Sequence, residues 1–180
     1  MPVHRLNHAV LYVRDVERSV AFYRDVLGFE VITELAGRAA FLRAAASSND
    51  HDLGLFQIGA DAAASGAGRT TVGLYHLAWE VETLHDLETL AARLAEAGAL
   101  VGASDHSTTK SLYAQDPDGL EFEVAWIVPA DLLDDAALAG RTGIRPLDLG
   151  REIARYGPTT AGGIGISRSA VGVGTGPAVS

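Results

Sequence analysis

Two stretches of the chain decide the fold because one repeats the other. They read "LNHAVLYVRDVERSVAF" at residues 6–22 and "LYHLAWEVETLHDLETL" at residues 74–90. In both, a leucine, one further residue and a histidine lead into alternating apolar residues and then into a helical pattern. His8 of the first copy therefore matches His76 of the second.

The alternation in each copy predicts a strand with one apolar face, because successive side chains of a strand point to opposite sides. The two histidines fall on the other side, so we expect a helix to cover each apolar face and the histidines to face away from it. The apolar faces consist of Ala9, Leu11 and Val13 in the first copy and of Leu77, Trp79 and Val81 in the second.

Each strand is predicted to lead into a helix with defined ends. Asp15 and Thr83 have side chains that cap helix N-termini, and Gly28 and Gly98 are typical of the position just after a helix. Three β-type runs follow each helix. They span residues 29–34, 39–44 and 52–58 in the first half and residues 100–104, 111–115 and 120–127 in the second.

Each half thus reads β-α-β-β-β, which predicts an α+β fold. We expect the two modules, about residues 5–58 and 73–128, to form a curled mixed sheet around a metal cleft. With a helix at residues 148–156 they would make a single domain over residues 1–156. The Gly/Ala/Ser-rich connection at residues 59–71 indicates a flexible linker, and the Gly-rich residues 157–180 indicate a disordered tail.

The composition excludes several classes of function. A net charge of −9, with only 14 lysines and arginines among 180 residues, argues against a nucleic-acid partner. No signal-type N-terminus and no apolar run of membrane-spanning length are visible, so we expect a cytoplasmic protein without a membrane partner. The chain has no cysteine, and any metal ligands must therefore be nitrogen and oxygen atoms.

His8, His76 and Glu123 are the candidate metal ligands. Glu123 lies in the last predicted strand of the second half, and two imidazoles with one carboxylate suit Fe(II), with Mn(II) also possible. A single strand histidine is more often a hydrogen-bonded core residue than a ligand. The equal register of the two histidines in a repeat favours the metal site here.

The paired halves, with "NHAVLYV", "YHLAWEV" and "DPDGLEFEV", resemble the vicinal oxygen chelate superfamily over roughly residues 6–128. This superfamily includes glyoxalase I, fosfomycin-resistance and bleomycin-binding proteins and type I extradiol catechol dioxygenases. The stretch "DHSTTKSLYAQDPDGLEFE" is similar to the extradiol signature, apart from Ser104 two places before its histidine. The chain is most similar to the single-domain members of that branch.

The resemblance assigns roles to individual residues. It makes Glu123 the carboxylate ligand and His106 and Tyr113 active-site residues around the metal. His51, in "NDHDLGLFQIG", matches the acid-base histidine, although the connection that follows it is longer than in these enzymes. By this resemblance the substrates are a catechol-type aromatic diol and O₂, the metal is Fe(II), and the protein is a homo-oligomer.

Two alternatives belong to the same superfamily. A glyoxalase-like lyase or isomerase would take a fourth protein ligand from the last strand of the first half. Sliding "LGLFQIG" over "LEFEVAW" matches Phe56 with Glu123, and a slip of one residue would offer Gln57 instead. The second alternative is a non-enzymatic binding protein of the bleomycin-resistance type, which would not need the metal.

Overall fold

A computed structural model of the chain describes residues 2–68 and 70–163. Within these residues the strands are β1 (Ala9–Val13), β2 (Glu30–Leu35), β3 (Ala39–Arg43), β4 (Leu53–Gln57), β5 (Leu77–Glu80), β6 (Leu100–Asp105), β7 (Thr109–Gln115), β8 (Glu121–Ile127) and β9 (Arg145–Pro146). The α-helices are α1 (Val16–Asp25), α2 (Leu84–Glu96), α3 (Asp135–Ala139) and α4 (Leu149–Tyr156), and short 3₁₀ turns span Ala130–Leu132 and Gly140–Thr142.

The strands form two mixed sheets, one from each half of the repeat. The first has the order β1-β4-β3-β2 and the second the order β5-β8-β7-β6-β9. In each sheet the first strand of the module runs parallel to the last, while the second and third strands are antiparallel. This confirms the predicted α+β fold and both β-α-β-β-β modules; the short β9 is an addition that the pattern did not predict.

The chain divides into two compact units. The first consists of Met1–Tyr75 and Gln115–Leu120, and the second of His76–Ala114 and Glu121–Ser180. Each unit contains one sheet and the helix of its own module, and the first also contains the tight turn between β7 and β8. The single domain over residues 1–156 stays a prediction.

In the first unit, α1 covers the apolar face of its sheet. The helix begins where Asp15 Oδ1 accepts a hydrogen bond from the Arg18 amide at 3.0 Å, as predicted. After the helix, Gly28 adopts a φ of +78°, which glycine tolerates best. The buried side chains between helix and sheet include Leu11, Val13, Val16, Val20, Tyr23, Leu42, Leu53 and Leu55.

In the second unit, α2 packs on its sheet in the same way. Thr83 forms the predicted cap and exchanges reciprocal hydrogen bonds with Asp86, which satisfies two amides at the helix start. Leu84, Leu87 and Leu94 are fully buried at this interface. Burial of each leucine contributes about 2 kcal/mol of hydrophobic stabilisation.

The end of the described chain is also part of the second unit. α4 contacts α2, and the segment after it continues to form hydrogen bonds: the Gly162 amide donates to the Glu82 carbonyl at 2.6 Å and the His85 amide donates to the Pro158 carbonyl at 2.9 Å. The prediction of a disordered tail from residue 157 is therefore wrong for residues 157–163, because their backbone groups pair with this unit. Residues 164–180, to which the same prediction applies, lie outside the described residues.

None of the described helices has both the length and the apolar character required to cross a membrane.

Candidate functional site

His76 and Glu123 come together on the second sheet. β5 runs parallel to β8 with Ala78 beside Glu123, and His76 lies two residues before Ala78, so the two side chains project from the same face. His76 Nε2 lies 3.1 Å from Glu123 Oε2, and both side chains are largely buried. The parallel pairing of the first and last strands of the module thus produces this contact.

Ser111 fixes the second oxygen of the same carboxylate. Its hydroxyl, fully buried on β7, donates to Glu123 Oε1 at 2.5 Å. Sequence reasoning did not single out Ser111. The alternation of β7 could have found it, because Ser111 lies two residues before Tyr113 and therefore on the same strand face.

Tyr113 and His106 extend this cluster. The Tyr113 hydroxyl lies 2.8 Å from His106 Nε2, and its ring centroid is 5.9 Å from that of His76. The second unit therefore brings together four of the predicted site residues, with Ser111 as a fifth member. We call this set the Glu123 cluster: His76, His106, Ser111, Tyr113 and Glu123.

The other two predicted residues lie in the first unit. The rings of His8 and His51 have centroids 4.5 Å apart. His8 Nδ1 lies 2.7 Å from Asn7 Oδ1, and His51 Nδ1 lies 2.9 Å from the Asp50 carboxylate. The residues that the repeat and the resemblance select in this unit are thus next to each other.

The structure brings two of the three candidate metal ligands together. Across residues 2–68 and 70–163, no group of three or more His, Asp or Glu side chains is placed to hold a metal ion. The structure brings together His76 and Glu123, while His8 lies beside His51. The donor types of the pair fit a metal, because an imidazole nitrogen and a carboxylate oxygen, here 3.1 Å apart, are ligands that Fe(II) and Mn(II) accept.

The strand registers correct one prediction. In the repeat Val10 corresponds to Ala78; Val10 pairs with Gly54 on β4, whereas Ala78 pairs with Glu123 on β8. Gly54, and not Phe56, therefore occupies the position equivalent to Glu123. The predicted alignment was displaced by two residues, because strands of similar polarity do not fix their own register.

The neighbourhood of Gly54 is apolar. A Cβ placed there would meet the Val10 and Phe41 side chains at 3.4 and 3.5 Å. Phe41 also contacts the rings of His51 and Phe56, at centroid distances of 5.1 and 5.9 Å. We call this surface the Phe41 face, formed by Val10, Phe41, Gly54 and Phe56.

Gln57, the alternative fourth ligand, has another role. Its Oε1 accepts a hydrogen bond from the Val16 amide at 3.0 Å, at the start of α1. This side chain therefore satisfies a helix N-terminal amide, which otherwise has no partner within the helix. Neither the equivalent of Glu123 nor Gln57 supplies a metal ligand.

The tight turn of Gln115–Leu120 is held by side chains of α1 and its N-terminal loop. Asp118 forms ion pairs with Arg14 at 2.9 Å and with Arg18 at 3.2 Å. Asp116 accepts the amides of Asp118 and Leu120 and the hydroxyl of Tyr23. Burial raises the pKa of the Asp116 carboxyl, although the two amides oppose that shift.

Residues 5–124 match the family described as the Glyoxalase/Bleomycin resistance protein/Dioxygenase superfamily. The match covers well over half of the chain, and the protein belongs to this superfamily.

Among curated relatives, the chain is similar to the catechol-2,3-dioxygenase of Bacillus subtilis (strain 168), with 31% identity over 66% of this chain and 40% of the relative. It is also similar to the manganese-dependent 2,3-dihydroxybiphenyl 1,2-dioxygenase of Geobacillus genomosp. 3, with 28% identity over 70% of this chain and 38% of the relative. The chain thus spans about two fifths of the length of these relatives.

A solved structure shares the fold. The glyoxylase/bleomycin resistance protein/dioxygenase domain from Frankia sp. EAN1pec superposes with a TM-score of 0.57 at 23% identity, covering 72% of this chain and 96% of that domain. At this identity the likeness establishes the fold and leaves the chemistry to the site residues.

Proposed function

We propose that the protein is an Fe(II)-dependent extradiol dioxygenase that cleaves a catechol-type ring with O₂, with Mn(II) as the alternative metal. The observation that carries the proposal is the Glu123 cluster, in which a histidine–carboxylate pair lies next to a hydrogen-bonded tyrosine and histidine. The names of the two dioxygenase relatives support the same class of reaction.

His76 and Glu123 are the proposed ligands in the second unit. His8 is proposed as the third ligand on the ground of the repeat, in which it matches His76. A bound metal would supply Lewis acidity that increases the acidity of the substrate hydroxyls. Ser111 holds one oxygen of Glu123, so the carboxylate loses less side-chain freedom when it binds the ion.

His51 is proposed as the acid-base residue. Its Nδ1 faces the Asp50 carboxylate, which favours the tautomer with the proton on Nδ1 and the lone pair on Nε2. Nε2 would accept a proton from a substrate hydroxyl and later return it. An imidazole suits both steps, because its ordinary pKa lies near neutral pH.

Tyr113 and His106 are proposed to orient and stabilise the substrate oxygens. The bond between the Tyr113 hydroxyl and His106 Nε2 fixes the direction of the hydroxyl. A donor held in place in this way stabilises negative charge as it develops, without reorganisation during the reaction.

The reaction is tested by loading the protein with ferrous iron under anaerobic conditions and then adding air with catechol or 2,3-dihydroxybiphenyl. We expect oxygen uptake and a yellow ring-fission product. Turnover with Ni(II) or Zn(II) and without oxygen uptake would instead identify a glyoxalase-like lyase or isomerase. Ligand binding that is unaffected by a chelator would identify a binding protein.

Two variants test the residue assignments. Glu123→Ala should lose iron binding, measured by metal analysis, because the only carboxylate among the proposed ligands is removed. His51→Gln should keep the iron and lose turnover, because only proton transfer is affected. Full iron content in the Glu123 variant would overturn the ligand assignment.

A further inference from the structure

Three charged side chains are buried together behind the turn that carries His106. Asp105, Lys110 and Glu152 are each 1% exposed. Lys110 Nζ lies 2.6 Å from Asp105 Oδ1 and 2.9 Å from Glu152 Oε2, which joins both ends of the turn to α4. We call this set the Lys110 network.

Two arginines at the protein surface complete the charge balance. Arg151 pairs with Glu152 at 2.9 Å, and Arg145 of β9 lies 3.3 Å from Asp105 Oδ2. Burial alone would raise the pKa of Asp105, but the hydrogen bonds from Lys110 and the Ser107 amide lower it by more. The pKa is therefore below its ordinary value, and the carboxyl is ionised at neutral pH. Each buried charge therefore has an opposite charge in contact.

The network also holds the backbone of the turn. Asp105 Oδ1 accepts the Ser107 amide at 2.7 Å, and Lys110 Nζ donates to the Ser107 carbonyl at 3.1 Å. Ser107 has a φ of +70°, a conformation that a non-glycine residue adopts at an energetic cost. Both backbone groups of the strained residue are thus bonded to the network.

We propose that Asp105, Lys110 and Glu152 are positioning residues, which fix the 105–110 turn so that His106 is presented to Tyr113. The proposal rests on the dioxygenase function, in which His106 and Tyr113 orient the substrate oxygens. His106 lies between Asp105 and Ser107 in the chain, so a shift of their backbone would move its ring away from the Tyr113 hydroxyl, which lies 2.8 Å from Nε2.

Stability alone does not explain the network. Replacing a buried ion pair by apolar residues of similar size is often neutral or stabilising, so such groups contribute little net stability over a hydrophobic core. The contacts of Asp105 and Lys110 with the Ser107 backbone are specific to this turn, and they hold its conformation. α4 takes part because it supplies Glu152 as the second counter-charge of Lys110.

The decisive variants are Asp105→Ala and Asp105→Asn. Alanine removes the acceptor for the Ser107 amide and the partner of Lys110, whereas asparagine keeps an oxygen that can accept the amide. We expect kcat of Asp105→Ala to fall by about 100-fold with KM little changed, because a displacement of about 1 Å at a reacting group has this effect. The kcat of Asp105→Asn should fall by less, because its side-chain oxygen still accepts the Ser107 amide.

Arg155→Gln is the matched control. It removes an ion pair between α4 and Asp134 at 3.0 Å, which lies at the surface and outside the Lys110 network. We expect wild-type kcat from this variant. If Arg155→Gln lowers kcat as much as Asp105→Ala does, the network acts only through the attachment of α4, and the proposal is wrong. If Asp105→Ala does not fold, Asp105→Asn carries the comparison.

A measurement without substrate separates this inference from the function on which it rests. The ¹⁵N shift of His106 Nε2 reports its hydrogen bond, and Tyr113→Phe supplies the value without that bond. In Asp105→Ala the shift should move most of the way to the Tyr113→Phe value. A wild-type shift would overturn the positioning role, whereas absence of oxygen uptake in the wild type would overturn the dioxygenase assignment instead.

Discussion

The two units have the same fold but different chemistry on the sheet face opposite their helix. In the second, the position beside Ala78 carries Glu123, held by Ser111 and close to His76. In the first, the equivalent position is Gly54, and the Phe41 face surrounds it. The repeat therefore duplicates the strand order and the helix packing, while single residues at matching positions decide whether a face is polar or apolar.

The largest expected effect comes from making the first unit resemble the second. Gly54→Glu places a carboxylate against the Val10 and Phe41 side chains, at the position where the second unit has Glu123 held by Ser111. We expect a loss of about 2 kcal/mol in the free energy of unfolding, measured by urea denaturation, because Val10 and Phe56 are themselves 52% and 37% exposed and the carboxylate keeps part of its hydration. Gly54→Ala is the control and should be nearly neutral, because its Cβ makes only ordinary contacts. Equal stability of the two variants would mean that the face is not apolar in solution.

A smaller effect is expected when the second unit loses the Ser111 hydroxyl that holds Glu123. Ser111→Ala removes the donor to Glu123 Oε1, so the carboxylate is held less firmly, although the contact of Oε2 with His76 remains. We expect metal affinity to fall by about 10- to 100-fold, measured by titration with Mn(II). Ser111→Thr keeps the hydroxyl and should bind metal nearly as well as the wild type. Unchanged affinity in both variants would exclude a role of this hydroxyl in holding the ligand.

The helix caps should behave alike in the two units. Asp15→Ala and Thr83→Ala each remove a side-chain acceptor at a helix start. We expect a loss of about 1 kcal/mol for each, and the two losses should add, because the caps belong to different helices. Thermal and urea unfolding of the two single variants and the double variant would measure this. A double variant whose loss differs clearly from the sum would show that the two caps are coupled.

The smallest effect is a difference in pH dependence. The pKa of Asp116 is raised by burial, so its contribution to stability is present at low pH and is lost as pH rises through its folded pKa. The pKa of Asp105 is lowered, so its contribution is present at neutral pH and is lost as pH falls through its folded pKa. Relative to the wild type, Asp116→Asn should therefore gain stability as pH rises above the ordinary pKa of aspartate, while Asp105→Asn should lose stability as pH rises from acid toward that pKa. If the stability difference from the wild type changed with pH in the same direction for both variants, the two pKa assignments would be contradicted.

Most of the fold could be predicted from the sequence, because local patterns determine it. The repeat, the caps at Asp15 and Thr83 and the alternation around Leu11 all depend on near neighbours in the chain. The equivalence of Gly54 with Glu123 could not be predicted in this way. It depends on how a strand pairs with a partner more than 40 residues away, and sequence alternation fits several registers equally well.

The candidate site was predicted only in part, because contacts between residues far apart in the chain also determine it. The repeat selected His76 and the resemblance selected His106, Tyr113 and Glu123, and the structure brings these four together in one unit. The resemblance could not select Ser111, whose role follows from its position across the sheet from Glu123. The Lys110 network was missed as well, because Glu152 lies some 40 residues beyond Lys110 and no local pattern links them.

The turn of Gln115–Leu120 has a consequence for how this chain could be divided. It belongs to the first unit although both strands that flank it belong to the second. A fragment that stops at Tyr75 would lack Asp118, the counter-ion of Arg14, and Asp116, the acceptor of the Tyr23 hydroxyl. The two halves of the repeat are therefore not interchangeable building blocks, and a chimera with a related module must transfer this hairpin tip together with the helix that receives it.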